Sequence, residues 1–480
     1  MGQLRDTDWP VIIQGGMGVA VSQWRLARAV SLQGQLGVVS GTGIDTVLVR
    51  RLQDGDPGGH IQRALAAAPW PDLVSTLIQR YYRPQGRSLN EPYKRLPHWT
   101  LDFTQWRSAV AMMGGFVEVW LAKAGHRGKV GINLLTKVAL PNLPVLYGAM
   151  VAKVDVVLMG AGIPKEIPGA LDTLSQHKVA EVPLEVEGQP TRNFPLMRFD
   201  PDRYSRNTVN MPMQRPAFFP IVSSHSLATF LTKKSSGSIQ GLIIENPTAG
   251  GHNAPPRGPK TFDDQGQPCY GERDQVDFQV IRSLGLPFWL AGGYGTHDGI
   301  ERAQKMGAHG IQVGTPFAYC QESGLTTELK TSVLTRISQH QPLNVRTDPD
   351  ASPTGFPFKV VNMPRTLSEP DVYHRRRRLC DLGYLRTAYQ TPSGRIDFRC
   401  AAEPITRFVA KGGRVDDTVD RRCLCNGLMS SVGLAQRQID GTTEAPILTL
   451  GQEWELIYPL LGQNNPYRAE DVINLLLGRQ

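Results

Sequence analysis

Gly241-Leu-Ile-Ile-Glu-Asn-Pro-Thr-Ala-Gly-Gly-His252 decides how the rest of the chain is read. Leu242-Ile-Ile244 is a short, β-branched apolar run with the composition of a buried strand. It gives way at Glu245 to small and polar residues, and His252 stands just beyond. In a barrel of parallel strands, chemistry sits where strand C-termini open into loops of this kind. Gly250 and Gly251 let main-chain N–H groups approach a bulky ligand. The unperturbed pKa of a histidine suits proton transfer near neutrality. On this stretch alone, a tight turn whose histidine only bonds a neighbour fits equally well.

The same punctuation recurs on both sides. Short apolar runs lie near residues 12, 38, 132, 156, 221, 243, 289 and 312, eight in all, and all but one consecutive pair are separated by helical patterns. Ser22 reads as an N-cap for a helix carrying Trp24, Leu26, Ala27 and Val30, and Pro164 as a first-turn residue of the helix through Leu174. Strand–helix alternation predicts parallel pairing, and eight such units predict an α/β (β/α)8 TIM barrel over residues 1–330. A mostly helical, aromatic-rich insertion at about 55–128 holds Tyr81, Tyr82, Tyr93, Trp99, Phe103 and Trp106. Residues 331–370 read as a lid or linker and 371–480 as an additional C-terminal accessory domain. A doubly wound sheet is the competing architecture, but Gln14-Gly-Gly-Met-Gly18 lacks the spacing of a dinucleotide fingerprint. Gly292-Gly293 and Gly314-Thr315 end consecutive strands, where barrels build phosphate sites from main-chain N–H groups. A phosphate-bearing cofactor is therefore expected.

The 480 residues are 40% hydrophobic and 20% charged, with a net charge of +9, as in a globular protein. No apolar run spans a bilayer, and Met1 to Pro10 lacks the core of a secretory signal, so a cytoplasmic location and no membrane partner are expected. No zinc-finger spacing or aromatic-studded RNA-binding strand points to nucleic acid. His374-Arg-Arg-Arg-Arg378 reads as a solvated face, or else as a docking site for an acidic partner such as a carrier protein. Cys380, Cys400, Cys423 and Cys425 cluster late in the chain. Their spacing is not a paired C-x-x-C arrangement, so buried thiols are favoured over a metal site.

Taken together, Ile13-Gln-Gly-Gly-Met-Gly18, Gly131-Ile-Asn-Leu134, Ala249-Gly-Gly-His252, Ala291-Gly-Gly293 and Gln312-Val-Gly-Thr315 resemble the nitronate monooxygenase family over roughly residues 9–320. The resemblance implies a TIM barrel binding FMN without covalent attachment, oxidising small alkyl nitronates with dioxygen and needing no nicotinamide cofactor. It implies that Met17 and Gly18 pack against the flavin and that Asn133 hydrogen-bonds it. Glu245, Gly250, Gly251, Gly292, Gly293, Gln312, Val313, Gly314 and Thr315 would complete the cofactor site, and His252 would be catalytic. Glu245 stands where the family commonly has glutamine, and Pro247-Thr248 where it often has glutamate. FMN-dependent enoyl reductases share this barrel and a similar histidine loop, so reduction by NAD(P)H in fatty-acid or polyketide synthesis is the alternative. A non-catalytic flavin-barrel subunit docking a biosynthetic complex is a further one.

Overall fold

A computed structural model describes residues 9–88, 90–102, 104–204, 211–438, 440–462 and 466–479. Most of Met1–Pro10, as well as Phe103, lies outside the described residues. Eight parallel strands follow the expected order: β1 Ile12–Gln14, β2 Gly37–Ser40, β3 Val130–Leu135, β4 Val156–Gly160, β5 Ala217–Val222, β6 Leu242–Glu245, β7 Phe288–Ala291 and β8 Gly310–Val313. Each pairs with its sequence neighbour, and β8 returns to β1 with Ile12 opposite Ile311. A parallel bridge between Ile13 and Leu36 joins β1 to the entrance of β2 and closes the barrel.

Alternation along the strands separates two cores. Ile13, Val38, Leu158, Phe219, Ile243 and Trp289 fill the interior, where Trp9 and Trp289 pack against Phe219 at ring-centroid separations of 5.0 Å each. Ile12, Val39, Val157, Ile244, Leu290 and Ile311 face the surrounding helices. The residue just before β6 is glycine, Gly241, where a Cβ would lie 2.8 Å from the Phe219 ring.

Two local expectations give way to other arrangements. The first helix, Trp24–Leu32, has Gln23 at its N-cap with no side-chain cap, and the Trp24 N–H is taken by Glu118. Ser22 is used elsewhere: its Oγ donates to Gly15 O and accepts from Met17 N and Gln14 Nε2, fastening the glycine loop after β1. The helix after β4 begins at Ile167, so Pro168 rather than Pro164 occupies its first turn.

Between β2 and β3 lie helices Ile44–Gln53, His60–Ala66, Pro71–Tyr81 and Gln105–Lys123. The last packs against both Trp24–Leu32 and Asn142–Val151, and so stands in the outer ring of the barrel. Two glycines permit that closeness: a Cβ on Gly115 would lie 2.3 Å from Val145 O, and one on Gly148 1.8 Å from Met112 O.

Beyond residue 320 the chain folds back over the C-terminal end of the barrel. Val345–Asp348 and Phe358–Val361 form an antiparallel pair. Thr387–Gln390 pairs with Ile396–Arg399 and, in parallel, with Val186–Glu187 of the excursion after β4. A buried joint fixes this return. Asp45 at the start of the helix after β2 bridges Arg107 at 3.0 Å, and both are almost fully buried. Tyr384 Oη donates to Asp45 and lies 2.6 Å from Thr46 Oγ1.

The arginine run is only partly a solvated face. Arg376 pairs with Glu444 at 2.8 Å, and Arg378 donates to Ala401 O and Thr418 O, while Arg375 and Arg377 stay exposed. No helix among the described residues is long and apolar enough to cross a membrane.

Candidate functional site

The barrel mouth opens into a cavity of about 420 Å³. Every sequence-predicted site residue lines it: Met17 and Gly18 after β1, Asn133 in β3, Glu245, Gly250, Gly251 and His252 in and after β6, Gly292 and Gly293 after β7, and Gln312, Val313, Gly314 and Thr315 in and after β8. Parallel pairing delivers them to one end, because all eight strands run the same way.

The floor is shaped for close approach. A Cβ on Gly16 would sit 2.2 Å from Asn133 Cβ, and Asn133 Nδ2 donates to Gly16 O at 2.8 Å. Gly292 has φ +79° and a Cβ there would lie 2.8 Å from Thr248 Oγ1; Gly293 has φ +84°. Both conformations favour glycine. Buried acceptors without partners face this region: Asn133 Oδ1, Gln312 Oε1, Ser40 Oγ and Thr248 Oγ1. A buried polar atom left unpaired costs about 1–3 kcal/mol. Such atoms in a glycine-walled cavity fit a planar, heteroatom-rich group that brings its own hydrogen-bond donors.

The return of the chain supplies the roof. Thr449 Oγ1 accepts from Gly251 N at 2.7 Å, Gln452 N donates to Thr248 O, and Gly451 N donates to Thr315 Oγ1 at 2.9 Å. A Cβ on Gly250 would lie 2.8 Å from Leu450 C, so this glycine is required by the roof as well as by any ligand. Residues 357–359 pair antiparallel with the histidine loop, through Asn253 N to Pro357 O and Lys359 N to Gly251 O, both 2.9 Å. Leu385, Leu424, Leu428, Ile447 and Leu448 give the cavity one apolar wall.

His252, Glu245 and Lys359 are held well away from their ordinary protonation. Burial, with a smaller push from Lys137, lowers His252 to about 4, so its imidazole is neutral at pH 7. Burial raises the Glu245 carboxyl to about 7, opposed by the Lys359 ammonium. Burial lowers Lys359 to about 8, opposed by Glu245. Lys359 is fully buried, and its Nζ bonds Thr347 Oγ1. Glu453 stands over Gly293, and its carboxyl too is raised by burial. Lys359, Glu453 and Ser352, which bonds His252, escape a strand-end reading because they come from the returning chain. The turn-rich stretch Thr347–Lys359 is the signal for Ser352 and Lys359, and no motif marks Glu453.

Cys380, Cys400, Cys423 and Cys425 line a separate void of about 10 Å³ behind Leu385 and Leu424. They are free thiols, and burial raises all four, Cys380 to about 11. Among the described residues, no group of three or more His, Cys, Asp or Glu is arranged to hold a metal ion.

None of the protein-family models matches the chain. Over 94 residues it is 33% identical to a probable nitronate monooxygenase of Staphylococcus haemolyticus (strain JCSC1435), a match covering 19% of this chain. That match spans 25% of the length of the curated relative. Among solved structures, FabK from Thermotoga maritima aligns at 17% identity and TM-score 0.45, covering 100% of this chain and 96% of that one. Nitroalkane oxidase from Streptomyces ansochromogenes aligns at 12% identity and TM-score 0.44, covering 98% and 95%. The enoyl reductase domain of MlnA from Bacillus amyloliquefaciens aligns at 11% identity and TM-score 0.47, covering 98% and 95%. The barrel itself rests on its own strand pairing, with β8 closing on β1. With that topology and its strand-end motifs, the chain is a (β/α)8-barrel protein that resembles the nitronate monooxygenases.

Proposed function

We propose that the protein is an FMN-dependent oxidoreductase that oxidises alkyl nitronates with dioxygen. The observation that carries this reading is the convergence of a neutral histidine, unpaired buried acceptors and glycine loops from β6, β7 and β8 on one cavity. Bound there, FMN supplies the redox chemistry, taking electrons from the substrate and passing them to dioxygen.

The chain's own residues do the rest. Asn133 Oδ1 and Gln312 Oε1 would accept hydrogen bonds from the ring N–H and the ribityl hydroxyls of the bound cofactor. Main-chain N–H groups of the loops ending β7 and β8 would hold its phosphate, and Met17 and Gly18 would pack on the ring. His252 hydrogen-bonds the nitro oxygens of the substrate. Phe356, Phe358 and the roof segment 448–451 keep water from the reacting face.

The purified protein is expected to be yellow and to release FMN, not FAD, on denaturation. Anaerobic mixing with a nitronate should bleach the flavin, whereas NADPH should not. A colourless protein that takes up no FMN overturns the reading. The apolar wall of Leu385, Leu424, Leu428, Ile447 and Leu448 favours one second reading, an enoyl reductase whose acyl tail lies along it. Rapid bleaching by NADPH would select that reading. Docking of an acidic carrier protein belongs to it, with Arg375 and Arg377 as the exposed part of the basic run.

A further inference from the structure

We propose that Ser352, backed by Thr354, is a positioning residue that fixes His252 as the Nδ1–H tautomer and aims that N–H into the cavity. The proposal rests on the reading of His252 as a substrate-binding group, and adds to it a pair of residues from outside the barrel.

His252 Nε2 lies 2.8 Å from Ser352 Oγ, and Ser352 Oγ lies 2.8 Å from Thr354 Oγ1. Thr354 Oγ1 also accepts the Phe356 N–H at 3.4 Å, and Ser352 Oγ accepts the Thr354 N–H at 3.3 Å. Which ring nitrogen of a neutral histidine carries the proton is set by what its other nitrogen bonds. Two proton orders are available. If His252 Nε2–H donates to Ser352 and Ser352 donates to Thr354, the proton of the half-buried Thr354 hydroxyl finds no acceptor within the protein among the described residues and must turn to solvent. If Thr354 donates to Ser352 and Ser352 donates to Nε2, every hydroxyl proton has one. The second order leaves the imidazole proton on Nδ1. Nδ1 has no hydrogen-bond partner among the described residues, and His252 lines the cavity.

The ring has little freedom to undo this. It packs edge-on against Phe358, with centroids 4.8 Å apart, and its backbone is bridged to Phe358. Ser352 is itself fully buried, and its carbonyl accepts from Arg421 Nη1 at 2.9 Å. Asp348 Oδ1 accepts the N–H groups of Asp350 and Ala351, which fixes the turn leading to it. In this state His252 acts as a neutral donor to a substrate oxygen, a nitro or carbonyl oxygen alike, and Nδ1 takes up no proton. Burial, with Lys137 as the nearby charge, keeps the ring neutral at pH 7.

The test is the tautomer itself, read without substrate. In full-length protein labelled with 15N-histidine, long-range 15N–1H correlation spectra at pH 7 report the protonated nitrogen, and His252→Gln assigns the signal. The wild type should show the Nδ1–H form. Ser352→Ala should shift it to the Nε2–H form or a mixture, and Ser352→Thr should keep it. Turnover should fall at least about tenfold in Ser352→Ala with flavin content unchanged, since a wrongly protonated histidine is severely costly in catalysis, and Ser352→Thr should restore it. An Nε2–H wild type, or a tautomer unmoved by Ser352→Ala, overturns the proposal. Because the spectra need neither nitronate nor NADPH, failure of the proposed activity leaves this result standing, and the converse also holds.

Discussion

At the scale of single residues, the cavity depends on groups held away from their ordinary protonation. His252→Ala should retain flavin and lose about 10²- to 10³-fold in turnover, the usual cost of removing one donor to a reacting oxygen; near-normal steady-state rates would mark it as a packing residue. Glu245 gives a pH dependence with a definite sign. Its carboxyl is raised from 4.5 to about 7, so the folded state holds the proton more tightly than the unfolded chain. That contribution to stability is complete below about pH 4.5 and is lost as pH rises through 7. Melting of the flavin-free protein at pH 5 and pH 8 should therefore differ less in Glu245→Gln than in the wild type. An identical difference in both would show that the carboxyl is not what titrates. That His252 would line the cavity was legible because a strand end in a barrel has a known destination, whereas Asn133 and Gln312 entered through the motifs that resemble the nitronate monooxygenases. Ser352 and Lys359 were not legible, because nothing local says which strand end a distant loop will reach. The hydroxyl of Ser22 was legible as polar and well placed, but its partner was the glycine loop rather than the helix N-terminus.

At the scale of elements, the eight barrel strands could be read from short apolar runs between turn formers. The helix ring was harder. Gln105–Lys123 is buried along nearly all of Arg107–Ala122, so it lacks the one-sided pattern that marks a surface helix. Its place beside Asn142–Val151 depends on glycines whose role appears only when the helices meet. Gly148→Ala should therefore destabilise the protein by at least about 1–3 kcal/mol, the usual penalty for overpacking, because the added carbon would lie 1.8 Å from a main-chain oxygen. Urea unfolding measures this, and an unchanged midpoint would mean that the two helices can separate cheaply.

At the scale of the whole molecule, barrel and returning chain are one unit, joined at Asp45, Arg107 and Tyr384. Asp45→Ala leaves Arg107 buried without its carboxylate, and breaking a buried pair in this way costs about 3–5 kcal/mol. Thermal denaturation should show a single transition at a clearly lower temperature; a separate early transition would mean that the returning chain melts by itself. The sequence showed where the barrel pattern stopped but not where the remainder would settle, since its contacts with β6, β7 and β8 join residues a hundred or more positions apart. The roof bonds from Thr449, Gly451 and Gln452 carry a temporal consequence. On the ribosome the glycine loops emerge long before the residues that cover them. If the cavity takes a flavin as proposed, the cofactor would dock onto the barrel before the roof segment through Gln452 is in place. Its release would then require those roof bonds to open, so exchange with free flavin should be slow even where equilibrium affinity is modest.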